Sequence, residues 1–173
     1  MAKTDLTNFS ATLLKAFGMN IPVEFGSPVS NLVEKLIKTA GGNIEKALVF
    51  HADAVPKYIV EKYPDIFVPV HQEAPCAEIF DAVMPSITPV CFAAMYSGRY
   101  PKANGVDHYV QPVLSEKLVQ PTIIGNTVVD EFVRAGKRVA VITCSDGCIA
   151  SMLSGRGADL FIIPGDDDDA YLK

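Results

Sequence analysis

A threonine followed at once by a proline separates a strand-like run from a helix-like run near the middle of the chain. In the stretch MPSITPVCFAAMYSG these residues are Thr88 and Pro89. We expect Thr88 to cap the helix and Pro89 to take its first position, where a missing N–H costs little. The N–H groups of Val90 and Cys91 would then point toward a ligand near the Thr88 hydroxyl, because a helix N-terminus favours an anion.

A carboxylate ends an earlier apolar run in the same way. Asp53 closes the stretch ALVFHAD, which is typical of a buried strand. Ligands of open α/β sheets bind beyond the carboxyl ends of the strands, so Asp53 and Thr88 are expected to face one another at one sheet edge. A hydroxyl, a carboxylate and an anion-friendly helix end together indicate phosphoryl chemistry. The alternative is that Thr88 only caps a helix.

The elements that would position these two residues alternate along the chain. Short apolar runs predict strands, with amphipathic helices between them, at residues 47–52, 78–83, 138–143 and 159–163. Strands separated by helices indicate parallel βαβ units with helices on both faces of the sheet. The predicted fold class is therefore α/β, with three α/β/α layers and a mostly parallel central sheet.

Glycine and proline mark where the helices begin and end. Helices are predicted at 7–18 closed by Gly18, at 27–42 capped by Ser27, at 55–63 with Pro56 in the first turn, from Thr88 to a stop at Gly98, and at 126–137. Loops are predicted around 68–76 and 100–121. Residues 1–173 are treated as a single domain, with lead-in helices at 1–42.

Composition narrows the classes of partner. The chain has 173 residues, of which 49% are apolar and 20% charged, as in an ordinary globular domain. Its net charge of −5 argues against binding a nucleic-acid polymer. The sequence contains no apolar run of about 18 residues, so no membrane span is predicted. No signal peptide is apparent, and the expected location is therefore cytoplasmic. The four cysteines form no C-x-x-C pair.

Two segments resemble a known family. They are ALVFHADAVP, which ends in Asp53, and MPSITPVCFAAMYSGRYPKANGV, in which Thr88 is followed by Ser97-Gly98-Arg99-Tyr100-Pro101 and then Asn104-Gly105-Val106. The chain resembles the N-terminal part of the alkaline phosphatase superfamily, closest to its type I phosphodiesterase/nucleotide pyrophosphatase branch. The resemblance covers most of the chain, and the Thr88 segment is its most specific part.

The resemblance implies a fold and a reaction. The fold would be alkaline phosphatase-like. Asp53 and Thr88 would bind a divalent metal ion, and Thr88 would be the nucleophile that attacks a phosphate ester, either a diester or a monoester. A second metal ion would complete the site, with zinc the expected metal and manganese the alternative. The substrate would be a small molecule, and the oligomeric state stays open, a dimer included.

The chain also departs from the family pattern. Ala54 follows Asp53 where the family has glycine, and Asn104 stands where the family has histidine. His108 and Tyr109 lie near the place of an asparagine that holds a phosphoryl oxygen in phosphodiesterase members. No D-x-x-x-H segment follows Thr88. His51 is expected to be a structural residue, and His71 a solvated one. The aspartates at 166–169 are expected to cap the N-terminus of a helix and to place negative charge there.

These observations leave two main hypotheses. In the first, the chain is the N-terminal portion of a metal-dependent phosphohydrolase whose remaining ligands lie beyond Lys173. In the second, it is a catalytically incomplete domain that binds a phosphorylated ligand or a partner chain. A nucleotide-binding Rossmann-type domain is the weakest alternative, because no G-x-G-x-x-G follows a strand.

Overall fold

The computed structural model describes residues 4–52, 55–73, 78–108, 122–144 and 152–163. Seven helices and two strands lie in this part of the chain. In chain order they are α1 (Asn8–Ala16), α2 (Ser30–Thr39), α3 (Lys57–Lys62), α4 (Pro64–Glu73), α5 (Thr88–Ser97), α6 (Pro101–Asn104), α7 (Val128–Arg134), β1 (Ala140–Cys144) and β2 (Asp159–Ile163). Among the described residues, no helix is both long and apolar enough to cross a membrane.

Helix α5 lies at the centre of the larger core. Its sequence, TPVCFAAMYS, is apolar around most of the helix, a pattern that is typical of a buried helix. Six of its ten residues are buried. Four of these, Val90, Phe92, Ala93 and Ala94, pack in one cluster with side chains from the segments that precede and follow the helix: Val83, Val106, Ile123, Val129, Met152 and Leu153. The helix that carries Thr88 is thus fixed by packing along its length.

Helix α1 packs against α5 through small residues. Ser10 and Ala11 are fully buried, and the Ser10 hydroxyl donates a 2.6 Å hydrogen bond to the backbone oxygen of Met95. Leu14 of α1 joins a second cluster with Phe25 and with Val128 and Phe132 of α7. These contacts join α1, α5 and α7 into one packed unit.

The strands β1 and β2 form a parallel pair, with Ala140 opposite Asp159 and Cys144 opposite Ile163. The predicted strands at 138–143 and 159–163 and their parallel pairing are therefore confirmed, within a residue or two at the ends. Ile142 and Phe161, which are partners in this register, remain 68% and 56% exposed.

Two other predicted strands are not formed. Residues 47–52 have no strand hydrogen bonds, and Leu48 and Phe50 are 92% and 84% exposed. In the segment 78–83, only Asp81 pairs with another chain segment, in an isolated parallel bridge to Asp5. A strand requires a neighbour to bond with, and an apolar run cannot show whether that neighbour is present. The three-layer α/β/α architecture stays a prediction.

The five helices predicted between residues 7 and 137 are present, and the start of one of them differs. The helix expected to start at the aspartates 166–169 lies outside the described residues. Helix α2 follows Val29 rather than Ser27, because the Thr12 hydroxyl of α1 accepts a 2.9 Å hydrogen bond from the Val29 N–H. The predicted loop around 68–76 is wrong through residue 73, since α4 continues through Pro69 to Glu73. The predicted loop around 100–121 is wrong at its start, where α6 forms at Pro101–Asn104, and its residues 109–121 lie outside the described residues. Pro64 begins α4 at a position where a proline is well tolerated.

Candidate functional site

The predicted nucleophile lies at the start of α5, one residue inside the position expected for it. Ile87 is the extended residue that precedes the helix, with φ −125° and ψ 152°, and Thr88 is the first helical residue. The Cys91 N–H donates to the Ile87 oxygen at 2.9 Å, so the expectation that this N–H faces a ligand is wrong. Thr88 itself is exposed, while Pro89 and Val90 after it are buried.

The predicted metal ligand Asp53 lies outside the described residues, as does Tyr109. The chain that leads to Asp53 is described as far as Ala52, and it reaches α5 through His51. A 2.8 Å hydrogen bond joins His51 Nε2 and the Tyr96 hydroxyl. The structure therefore brings the segment before Asp53 and the helix of Thr88 into contact.

Aromatic rings surround His51 in this contact. The rings of Phe9 and Phe92 meet the imidazole edge-on, with centroids 6.1 Å and 5.9 Å away, and Phe92 stacks on Tyr96 at 4.2 Å. His51 is exposed, yet the burial that these rings cause lowers the pKa of the imidazole. Burial also raises the pKa of Tyr96 to about 12, so this hydroxyl is neutral at physiological pH.

Sequence reasoning missed this aromatic contact. Thr88, Phe92 and Tyr96 follow one another at four-residue spacing and so share one face of α5. The spacing T-x-x-x-F-x-x-x-Y was visible in the sequence. Its partner, a histidine from a distant segment, was not predictable, because nothing local shows where residues 43–52 lie.

The glycine of the Ser97-Gly98 pair ends α5 and allows a close approach. Gly98 has φ +64°, and a Cβ there would lie 3.0 Å from the Cβ of Phe25. The Gly98 oxygen accepts a 2.9 Å hydrogen bond from the Gly26 N–H. This part of the family-like motif thus holds the chain around Phe25 against the end of the helix.

Asn104, which stands where the resemblance implies a histidine, has a structural role. Its side chain is fully buried; Nδ2 donates to the Arg99 oxygen at 2.9 Å, and Oδ1 accepts from the Val106 N–H at 2.9 Å. Arg99 in turn donates to the backbone oxygens of Ile124 and Asn126. These residues fix the turn after α5.

Tyr100 contacts a second carboxylate that sequence reasoning did not single out. Its hydroxyl donates a 2.5 Å hydrogen bond to Oδ2 of Asp5, a residue only 4% exposed, and this bond raises the pKa of Tyr100. The two residues line an open cleft of about 670 Å³ together with Ala82, Val83, Met84, Pro101, Lys102 and Asp107. Thr88 is not among the described residues that line this cleft.

The two remaining histidines lie in other segments of the chain than Thr88. His108 is exposed, and its Nδ1 lies 2.5 Å from Asp107 Oδ1; this contact lowers the pKa of the Asp107 carboxyl. His71 lies on α4, not in a loop as expected.

The side chains proposed to bind a metal ion are of a suitable chemical type, but there are few of them. No group of three or more His, Cys, Asp or Glu that could hold a metal lies among the described residues. Thr88 and the predicted carboxylate of Asp53 would both offer oxygen, which divalent cations accept. Two ligands are fewer than the three that a catalytic zinc takes from a protein, so the set fits part of a metal site.

The chain was compared with protein-family models, curated proteins and solved structures, and none of the three comparisons gives a match. The likeness to the alkaline phosphatase superfamily therefore rests on the residues of the Asp53 and Thr88 segments.

Proposed function

We propose that this chain carries the nucleophile of a metal-dependent phosphate-ester hydrolase. Thr88 is the nucleophile, Asp53 and Thr88 bind one of two divalent metal ions, and the other ligands come from a portion of the protein beyond Lys173. The observation that carries the proposal is the placement of Thr88: it is an exposed residue at the first position of a helix whose body is buried.

The packing of α5 supports a role that needs a fixed hydroxyl. Val90, Ala93 and Ala94 are fully buried, and α1 bonds to the helix backbone near its end. A nucleophile must be held close to its in-line position, because small displacements cost large factors in rate. The start of a helix also offers a positive dipole end to an anionic substrate.

The reaction proposed for Thr88 is displacement at phosphorus. Its oxygen forms a bond to phosphorus, the bond to the leaving oxygen breaks, and water later releases the phosphoryl group from the threonine. A bound divalent cation would supply the positive charge that favours the ionised hydroxyl at neutral pH. Thr88 supplies the attacking oxygen, and the packed body of α5 holds it in place.

The substrate and setting complete the proposal. A small phosphate ester, diester or monoester, is the proposed substrate, and the negative net charge of −5 argues against a nucleic-acid polymer. Zinc is the proposed metal, with manganese the alternative. A cytoplasmic location and an alkaline phosphatase-like α/β/α fold belong to the same proposal.

The test compares two chain lengths with an aryl phosphate ester and added zinc or manganese. The 173-residue chain should turn over the ester very weakly or not at all, whereas a chain that continues past Lys173 should turn it over. Thr88→Ala should abolish that turnover, and Thr122→Ala, at an exposed threonine, should not. Strong Thr88-dependent turnover by the short chain would refute the claim that metal ligands are missing from it. Turnover that survives Thr88→Ala would show that Thr88 is not the nucleophile.

A second candidate function is a catalytically incomplete domain that binds a partner chain. Ile142 and Phe161 favour it, because they pair across a parallel sheet, yet both are largely exposed. Parallel sheets are commonly covered on both faces. If a second copy is the partner, sedimentation should show association that Ile142→Asn weakens, and a chain that stays monomeric at every concentration would count against it.

A further inference from the structure

Three separate segments of the chain meet in the open cleft of about 670 Å³ beside Tyr100, which we call the Asp5 cleft. Its lining includes three buried residues, which form its bottom, and several exposed ones, which form its rim. The buried residues are Asp5, Val83 and Pro101, and the rim includes Met84, Lys102 and Asp107. Small-molecule sites in proteins are typically clefts of about 300–1,000 Å³ with mostly apolar walls and a few polar groups. The Asp5 cleft is of that kind in size and in lining.

Main-chain hydrogen bonds place Asp5 beside the wall of the cleft at residues 82–84. Asp5 and Asp81 form an isolated parallel bridge. The Leu6 N–H donates to the Asp81 oxygen at 3.1 Å, and the Asp81 N–H donates to the Thr4 oxygen at 3.0 Å. The position of Asp5 is therefore fixed by backbone bonds on both sides of it.

The Asp5 carboxylate accepts hydrogen bonds from three donors. Its Oδ1 accepts from the Thr7 N–H at 2.9 Å and from the Thr7 hydroxyl at 2.6 Å, and its Oδ2 accepts from the Tyr100 hydroxyl at 2.5 Å. Hydroxyl-to-carboxylate bonds of about 2.5–2.7 Å are typical of an ionised acceptor. Asp5 therefore places a negative charge, on a residue only 4% exposed, at the bottom of the cleft.

The rim of the cleft adds one charge of each sign. Asp107 is exposed, and its contact with His108 lowers the pKa of its carboxyl, so this group is ionised at neutral pH. Lys102 lies exposed on α6. Because Asp5 and Asp107 outnumber Lys102, the lining is net negative and favours a cation over an anion.

We propose that the Asp5 cleft binds a small organic amine. The ammonium group lies at the Asp5 and Asp107 carboxylates, and the apolar body of the amine packs against Val83, Met84 and Pro101. A metal ion fits the cleft less well, because hard cations take six or more oxygen ligands, and the described residues include no group of three or more potential metal ligands.

Two matched probes test the proposal in the full 173-residue chain. Phenethylammonium and 2-phenylethanol have the same ring and two-carbon chain, and the second has a hydroxyl in place of the ammonium group. Each is titrated while the amide NMR signals of Val83, Met84 and Lys102 are followed. The amine should give saturable shifts with a dissociation constant on the order of 1–10 mM, as expected for a ligand of this size. The alcohol should bind at least about tenfold more weakly, because it offers no charge to the carboxylates.

Variants of the charged lining residues should change the affinity for the amine in opposite directions. Asp5→Asn should weaken binding by at least about tenfold. Asp107→Asn should weaken it by about two- to threefold, and Lys102→Gln should strengthen it by about the same factor, as expected for exposed charges. These two exposed substitutions decide the question if Asp5→Asn loses the dispersed spectrum of a folded chain.

Two further variants control for the net charge of the chain. Asp65→Asn on α4 and Lys35→Gln on α2 repeat the two rim substitutions at exposed positions that are not part of the cleft lining. Both should leave the affinity for the amine unchanged. A change as large as that in the matched rim variant would mean that net charge, and not the cleft, decides binding, and it would overturn the proposal.

Four other results would also overturn the amine site. They are the absence of a saturable shift with the amine, equal affinity for the two probes, unchanged affinity in a folded Asp5→Asn chain, and unchanged affinity in both Asp107→Asn and Lys102→Gln. Thr88 is not among the described residues that line the cleft, and phosphate-ester turnover is a separate measurement. Failure of the amine site would therefore leave the proposed function standing.

Discussion

Helices α5 and α7 each have a threonine at their start, and the two threonines are used differently. Thr127 precedes α7, is fully buried, and forms a capping box: its hydroxyl and its N–H both bond to Asp130 Oδ2, at 2.8 Å and 2.6 Å. Thr88 is the first residue of α5 and is exposed, while the position before the helix belongs to Ile87. One threonine is enclosed in the fold, and the other faces outward.

The two threonines differ in burial and in their position at the helix start, and this sets the structural role of Thr127 apart from the place of Thr88. A capping threonine satisfies N–H groups that would otherwise be orphaned, and it needs a partner such as Asp130 to hold it. At α5, rigidity comes instead from burial of the helix body. Ile87 holds the N-cap position there, so the expected N-cap role of Thr88 is wrong.

The largest expected effect comes from breaking the network at the start of α7. Arg156 donates to Asp130 Oδ2 at 2.6 Å and to the backbone oxygens of Ile123, Gly125 and Met152. Arg156→Met would leave the Asp130 carboxylate without this partner. We expect the free energy of unfolding to fall by about 3–5 kcal/mol in urea denaturation.

A matched arginine provides the control for that measurement. The Arg138–Asp159 pair is 93% and 57% exposed, so Arg138→Met should change the free energy of unfolding by less than about 1 kcal/mol. Equal losses in Arg138→Met and Arg156→Met would show that the enclosed network around Thr127 is no stronger than a surface pair.

The next effect concerns the far end of α5. Gly98 has φ +64° and Phe25 lies against it, so Gly98→Ala combines an unfavourable backbone conformation with a clash and should cost about 2–4 kcal/mol. Gly18 has a similar φ of +69° but nothing within 4 Å of its missing Cβ, so Gly18→Ala should cost about 1–2 kcal/mol. Thermal or urea unfolding of both variants measures the difference, and equal costs would argue against tight packing at the end of α5.

Sequence reasoning succeeded where the signals were local. Gly18 and Gly98 end their helices as predicted, and the apolar runs of β1 and β2 are strands. It failed where a distant partner decides the outcome. A strand at 47–52 needs a neighbouring strand, and the start of α2 depends on Thr12 from another helix.

The candidate site shows the same division. The place of Thr88 near a helix start followed from one short stretch of sequence, although it was wrong by one residue. The attachment of His51 to Tyr96 joins residues 45 positions apart, and the Asp5–Tyr100 bond joins residues 95 apart. Such contacts depend on tertiary packing, which the periodicity of a sequence does not predict.

A smaller effect should appear at high pH on the face of α5 that carries Thr88. Burial raises the pKa of Tyr96 to about 12 from an ordinary value of 10.0, so the unfolded chain ionises this tyrosine first. The neutral Tyr96 hydroxyl therefore contributes fully to the free energy of unfolding below pH 10. That contribution, about 2–3 kcal/mol, is lost as the pH rises to about 12. Absorbance of tyrosinate should show a late transition that Tyr96→Phe removes. If Tyr96→Phe leaves that transition in place, another tyrosine is the buried one.

The smallest effect compares the two threonines directly. Thr127→Ala removes the hydroxyl from the capping box and should lower the free energy of unfolding by about 1–2 kcal/mol, whereas Thr127→Ser keeps the hydroxyl and should retain most of it. Thr88→Ala should lower it by less than about 0.5 kcal/mol, because the side chain is exposed and Ile87 holds the cap position. Urea denaturation of the three variants gives the ranking. A loss in Thr88→Ala as large as that in Thr127→Ala would mean that both threonines support their helices, and any loss of turnover in Thr88→Ala would then have a structural explanation.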